Sequence, residues 1–337
     1  MKIKIGIAGY GNIGAGAEKA IAQSADMELA AVFTKRDPSS LKINTPNVPV
    51  YNFDEIANSA DKIDVMLLCG GSAKDLPEQG PYLSSLFNTV DSFDTHAKIP
   101  EYLEAMDKSA VSGGKSAVIS VGWDPGLFSM MRLIGEAILP VGNTYTFWGR
   151  GVSQGHSEAI RRLDGIKKDA NGKKIAVQYT VPSEIAMNAV RNGENPELSV
   201  RGKHLRECYV AAEDGADLQE LESGIKNMPD YFAPYDTIVH FISENEFAAN
   251  HSKMPHGGFV FRSGTTGADD NNSNKQIMEF ALKLESNPEF TASVMLAYAR
   301  ATVRLSREGR SGAFTVFDVP LSYLSPKDSA TLIKELL

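Results

Sequence analysis

Hydrophobic positions in the first third of the chain fall in short continuous runs, separated by segments of helical spacing. Ile3 to Ala8 is apolar except for Lys4 and predicts a buried strand. Ile13 to Ser24 places Ala17, Ala20 and Ile21 on one helical face. Met27 to Phe33 predicts a second strand, and Asp64 to Cys69 a third, whose unbroken apolar core suits a parallel strand covered on both sides. Thr89 to Asp91 and Ser116 to Ser120 add two more. The rhythm is that of an α/β, Rossmann-type, doubly wound parallel sheet, with the strand C-termini on one ligand-binding edge.

After Pro125-Gly126 the pattern changes. A helix is predicted over Phe128 to Ile138, and strands over Thr144 to Trp148, Ile175 to Val181, Glu207 to Ala212 and Asp236 to Ile242. Longer polar connections separate them. This predicts a second, α+β domain with an open mixed sheet. Asn287-Pro288 signals the start of a long helix over Phe290 to Arg307. The expected division is a dinucleotide-binding domain over 1–122, rejoined by part of 290–337, and a second domain over 123–289. Asp269 to Asn274 is polar enough for a mobile loop.

A length of 337 residues agrees with two domains, at about 100–200 residues each. The net charge of −8 argues against a nucleic-acid binder, which needs a basic face. No run is long and apolar enough to span a membrane, and the N-terminus runs straight into a strand without a signal-peptide pattern. Cys69 and Cys208 form no metal or redox motif, which fits a reducing, cytoplasmic setting. The six histidines are scattered, so no metal site is expected.

The strongest local signal is Gly9-Tyr10-Gly11-Asn12-Ile13-Gly14, a GxGxxG that follows a buried strand and opens a helix. Gly9 permits the tight turn, Gly11 lets a pyrophosphate approach the backbone, and Gly14 permits close helix–strand packing. An NAD enzyme places an acid at the end of the second strand for the ribose hydroxyls. Here that end reads Thr34-Lys35-Arg36, a hydroxyl and two cations, which favours the 2′-phosphate of NADP. Asp37 follows directly and is the competing ribose acceptor. Cys69-Gly70-Gly71-Ser72 ends the third strand with a second glycine turn on the same edge.

Beyond these features, Asp91-Ser92-Phe93-Asp94, Gly122-Trp123-Asp124-Pro125-Gly126-Leu127-Phe128-Ser129, Phe147-Trp148-Gly149, Ser153-Gln154-Gly155-His156-Ser157 and Gln178-Tyr179-Thr180-Val181-Pro182-Ser183 follow in order. So do Met228 to Phe232, Met254-Pro255-His256-Gly257-Gly258, Asn287 to Ser293 and Ser311 to Val316. With the two glycine turns, these segments resemble the meso-diaminopimelate dehydrogenase family nearly end to end.

The resemblance implies NADP-dependent oxidative deamination of the D-centre of meso-2,6-diaminopimelate. The product is L-2-amino-6-oxopimelate with ammonia, cyclising to tetrahydrodipicolinate, a precursor of lysine and peptidoglycan. It implies a homodimer, a second domain that serves substrate binding and dimerisation, and Asp94 and Asp124 beside the reacting amine. A carboxylate there can orient the ammonium, take its proton and stabilise the iminium cation, or position the hydrolytic water. Which aspartate does which stays open. Thr180, Arg206 and His256 carry over as the grip on the L-configured end, with Ser153, Gln154, Gly155 and Asn287 as further substrate contacts. Trp123 and Trp148 are pocket walls or core residues. The cofactor set extends to Asp91, Ser92, Phe93, Val121, Gly122, Trp123, Asp124 and Pro125. Glu158 departs from the Asp that the family often carries, and Lys203 to Arg206 differs locally.

Three other readings compete. Gly151-Val152-Ser153-Gln154-Gly155 fits the GxSxG hydrolase pattern, which needs a strand–turn–helix elbow and a triad. A Rossmann-type NADP-sensing regulator would bind cofactor without turnover. Another amino-acid-pathway oxidoreductase on the same scaffold would lack the Gly122 to Gly126 segment.

Overall fold

A computed structural model describes residues 2–267 and 273–337. Of the loop expected over Asp269 to Asn274, residues 269–272 lie outside the described ones. The chain divides into two compact units, Met1–Met130 with Pro288–Leu337, and Met131–Asn287.

The first unit begins β1 (Ile3–Ala8), α1 (Asn12–Ala22), β2 (Met27–Thr34), β3 (Val50–Asn52), β4 (Val65–Leu68), α2 (Leu76–Ser84), β5 (Thr89–Asp91), α3 (Ile99–Gly113) and β6 (Ser116–Val118). α4 (Leu127–Ile138) carries the chain out of it. β4 and β5 are buried at every position, as their apolar runs require. Between and below the strands and helices packs a core that includes Phe33, Met66, Leu83, Phe93, Tyr102 and Met106.

The second unit contains β7 (Gly142–Trp148), β8 (Gly151–Val152), α5 (Gln154–Ile160), β9 (Ala176–Pro182), α6 (Glu184–Arg191), α7 (Val200–Lys203), β10 (His204–Val210), α8 (Leu218–Lys226), β11 (Asp236–Phe241), α9 (Glu244–Asn250), β12 (His256–Thr266) and β13 (Asn274–Leu284). Among the described residues, two sheets stand in place of one open sheet. β11-β10-β9-β8 is mixed, parallel only between β10 and β11, and β13-β12-β7 is antiparallel. β7 pairs with β12 from Trp148↔Gly258 to Gly142↔Gly264, which takes it out of the sheet of β9.

The chain returns to the first unit through α10 (Asn287–Arg307), β14 (Gly312–Phe314) and α11 (Ser329–Leu336). The completed sheet is parallel throughout, with order β14-β6-β5-β4-β1-β2-β3. Succession reverses between β1 and β4, the switch point at which such sheets bind ligands. Arg300 on α10 is bonded through two nitrogens to Asp26, at 2.6 and 2.9 Å, just ahead of β2. That pair ties the returning helix to the sheet.

Candidate active site

Two glycine turns meet at the switch point. Gly9 has φ +94°, and a Cβ there would lie 3.3 Å from the Cys69 carbonyl carbon. Gly14 could carry no side chain, since its Cβ would come within 2.3 Å of the Gly9 oxygen. Beside Gly11 there is open space. The same residue caps α1 without a side-chain hydrogen bond, and no acid occupies the first turn. Backbone donors and the positive helix end there suit an anionic pyrophosphate.

At the end of β2, the Thr34 hydroxyl accepts from the Arg36 amide at 3.1 Å. The Arg36 guanidinium donates to the Tyr10 carbonyl at 2.5 Å, which sets the cation beside the glycine turn. Lys35 instead pairs with Asp75 at 2.9 Å. Asp37, the competing ribose acceptor, spends its carboxylate on the Ser39 amide and hydroxyl, at 3.0 and 2.7 Å. One organising residue was not singled out from sequence. Glu18, buried on α1, accepts from the Tyr10 hydroxyl, from both Asn44 and Thr45 amides and from the Thr45 hydroxyl. It fastens the β2–β3 connection to the glycine turn. Its signal was a carboxylate set among Ala17, Ala20 and Ile21 on the buried side of α1.

Asp94 is exposed, and its amide donates to the Ser72 hydroxyl at 3.2 Å, linking the loop after β5 to the second glycine turn. Ser92 is half-buried between Asp91 and Phe93, which are both buried. Asp91 turns its carboxylate inward rather than toward a ligand, accepting from the Phe93 and Ser120 amides and the Tyr102 hydroxyl, each at 2.9 Å. Asp124 and Pro125 are half-buried in a turn closed by Leu127 N–H to Gly122 C=O, 3.0 Å, and Phe128 N–H to Trp123 C=O, 2.8 Å. Gly126 has φ +127°, and a Cβ on it would fall 1.9 Å from the Gly122 oxygen. Trp123 is only 7% exposed and packs edge-on against Phe128, 5.2 Å between centroids, as a core residue does.

In the second unit, β9 and β10 put Thr180 directly opposite Arg206. Arg206 is buried, donates to the Thr180 hydroxyl and lies 3.8 Å above the Tyr235 ring. Among the described residues no carboxylate pairs with it, and its Nε has no hydrogen-bond partner. Burial lowers its pKa, and its uncompensated charge acts on its neighbours. Burial first and Arg206 second push His156 down to about 4. Burial, Arg206 and Lys203 push His204 down to about 4 as well. Both imidazoles are therefore neutral at pH 7, and the missing charge partner is an anion. The fully buried Gln178 points Nε2 at the Thr180 hydroxyl, 3.5 Å away, and leaves Oε1 without a partner among the described residues.

His204 accepts from the Trp148 amide at 2.9 Å and stacks on the indole, which is 39% exposed. Gln154 and Gly155 are exposed at the start of α5, with Gln154 reaching the Met254 sulfur at 2.7 Å. The Asn287 amide donates to the Met254 carbonyl at 3.0 Å. His256 accepts the Gly257 amide on Nδ1 at 2.8 Å, and a Cβ on Gly151 would lie 2.5 Å from its ring. Ser153 does follow a short strand and open a helix, with its hydroxyl 2.8 Å from His156 Nδ1. That hydroxyl is the cap of α5, and no carboxylate among the described residues bonds to His156, so the described residues form no triad.

A parallel sheet with two glycine turns at its switch point, with cations rather than an acid at the end of β2, places the chain in the class of Rossmann-type oxidoreductases. Residues 122–286 match the family model described as the diaminopimelic acid dehydrogenase C-terminal domain. The chain is 61% identical over 335 residues to meso-diaminopimelate D-dehydrogenase of Lysinibacillus sphaericus, covering 99% of each. A six-substitution variant of the Clostridium tetani enzyme, solved with DAP, superposes with TM-score 0.90 at 53% identity, covering 100% of both chains. An engineered D-amino acid dehydrogenase bound to NADP+ gives 0.83 at 40% identity, again over 100% of both. The chain belongs to the meso-diaminopimelate dehydrogenase family.

Proposed function

We propose that this chain catalyses the reversible, NADP-dependent oxidative deamination of the D-centre of meso-2,6-diaminopimelate, consuming water and releasing L-2-amino-6-oxopimelate, ammonia, NADPH and a proton. Bound NADP+ supplies the hydride acceptor. The observation that carries the reading is the conjunction of a glycine turn with no side-chain cap and no acid in the following helical turn, and Arg206, a buried cation with no carboxylate partner among the described residues. Gly9 to Gly14, Thr34, Arg36 and the Cys69 to Ser72 turn hold the dinucleotide. Lys35 adds positive charge nearby. Asp94 and Asp124 orient the reacting ammonium, accept its proton and direct the water. Arg206, Thr180 and His256 hold the carboxylate of the L-centre, with Ser153, Gln154, Gly155, Trp148 and Asn287 completing the fit. Trp123 acts from the core, by fixing the turn that bears Asp124.

The assignment extends to a cytoplasmic homodimer. Two free cysteines fit a reducing compartment, and Leu133, Ile138 and Val141 leave apolar surface exposed in the second unit. Among the described residues no helix is long and apolar enough to cross a membrane. The direct test is NADPH absorbance with the purified chain and meso-diaminopimelate, and the reverse reaction with ammonia. Turnover with meso-diaminopimelate and NADP+ is expected, and its absence sinks the proposal.

Arg36→Ala tests the cofactor assignment separately. A lost guanidinium–phosphate contact of about 1.5–3 kcal/mol lowers the ratio of kcat/KM for NADP to that for NAD by about tenfold or more. An unchanged ratio refutes the role of Arg36.

A further inference from the structure

We propose that Asp91 is a positioning residue for the reaction: its buried carboxylate, anchored by Tyr102, sets the two turns that deliver Asp94 and Asp124. The proposal rests on the roles assigned to those two aspartates. β5 and β6 stop pairing at Val90↔Val118, although Asp91 still pairs with Leu68 of β4 and the Ile119 amide still donates to the Phe314 carbonyl of β14 at 2.9 Å. Past that pair it is Asp91 that links the ends of β5 and β6. Its main-chain oxygen accepts from the Val121 amide at 2.8 Å, and its Oδ1 from both the Ser120 and Phe93 amides at 2.9 Å. One oxygen atom thus ties the start of the Asp94 turn to the start of the Asp124 turn. Ser120 has φ +56°, a left-handed conformation that a non-glycine residue keeps only when its surroundings impose it.

Oδ2 is held in turn. It accepts from the Tyr102 hydroxyl at 2.9 Å, the Tyr102 ring stacks on Phe93 at 4.1 Å, and a Cβ on Gly80 of α2 would lie 2.2 Å from that hydroxyl. The carboxylate has no freedom to move without the helices moving. Burial pushes the Asp91 carboxyl up to about 6, and all three side-chain partners are donors, which satisfies the ionised form.

Displacing a reacting group by an ångström costs about 10²-fold in rate, so Asp91→Ala lowers kcat by about tenfold or more while Kd for NADP stays within about threefold. Hydrogen exchange at the Ser120 and Val121 amides speeds up in the same variant. Asp91→Asn keeps the Oδ1 acceptor and restores kcat to within about threefold of the native value. Ser120→Gly, made in the Asp91→Ala background, removes the left-handed penalty and recovers about threefold or more of the lost kcat. If Asp91→Ala does not fold, Tyr102→Phe decides. It keeps the ring on Phe93 and lowers kcat about threefold or more at unchanged Kd for NADP.

The proposal is overturned if Asp91→Ala, or in its absence Tyr102→Phe, keeps native kcat. It is overturned also if cofactor affinity falls in parallel with kcat, if Asp91→Asn fails to rescue, or if Ser120→Gly recovers nothing. Asp94→Asn and Asp124→Asn are measured alongside. Native kcat in both refutes the roles of the aspartates themselves, whereas losses there with a native Asp91→Ala refute only the positioning.

Discussion

Asp124→Asn lowers kcat for meso-diaminopimelate oxidation by about 10²–10⁴-fold, the span of a lost general base, and leaves Kd for NADP near its native value. The side chains are nearly isosteric, so the turn from Gly122 to Gly126, closed by main-chain bonds, is expected to persist. In the role proposed for it, what disappears is the negative charge that takes a proton from the ammonium and steadies the cation left when hydride departs. Asp94→Asn separates two divisions of labour. If one aspartate is the base and the other orients water, the losses differ and the double variant is far from additive. A native kcat in Asp124→Asn, measured by stopped-flow NADPH formation, removes this residue from the reaction.

The parallel sheet was legible because its strands are apolar on both faces. Ile3–Ala8, Thr89–Asp91 and most of Asp64 to Cys69 appear where their runs predict them. The edge strands were not. Val50–Asn52 and Gly312–Phe314 are three residues long and partly exposed, too short for any period to register. The hairpin His256–Thr266 and Asn274–Leu284 escaped for another reason. Gly257, Gly258, Arg262, Ser263 and Gly264 interrupt the first strand, and the second keeps most of its residues exposed or half-buried. The site was readable where chemistry imposes composition, as in the glycine turns and the cations after β2. Asp91 and Glu18 were harder, because their work is done through buried bonds to residues far apart in sequence, and a carboxylate shows no sign of its partners until the chain is folded. Asp91 was placed in the cofactor set, and the folded chain shows its carboxylate bonded to Phe93, Ser120 and Tyr102.

Arg206→Met has opposite effects on binding and on stability. Losing the two charge-assisted bonds proposed to the substrate carboxylate, at about 1.5–3 kcal/mol each, lowers kcat/KM for meso-diaminopimelate by about 10²-fold or more, chiefly through KM. The unliganded protein gains. Arg206 is a buried cation with no carboxylate beside it among the described residues, and methionine fills a similar volume beside Tyr235 without a charge to desolvate. Tm of the variant without ligand rises by about 2 °C or more. The histidines supply an independent readout. His156 and His204 are lowered from 6.5 to about 4, by burial first and by Arg206 second. A depressed pKa contributes stability above the unfolded value, lost as pH falls through the folded one, so the native protein weakens between pH 6.5 and about 4. Without Arg206 both pKa values move upward and that acid-side loss shrinks, which NMR titration and Tm against pH both record. An unchanged KM together with a lower Tm would mean that Arg206 is a structural cation whose anion lies within the protein, and the carboxylate grip would have to be sought elsewhere.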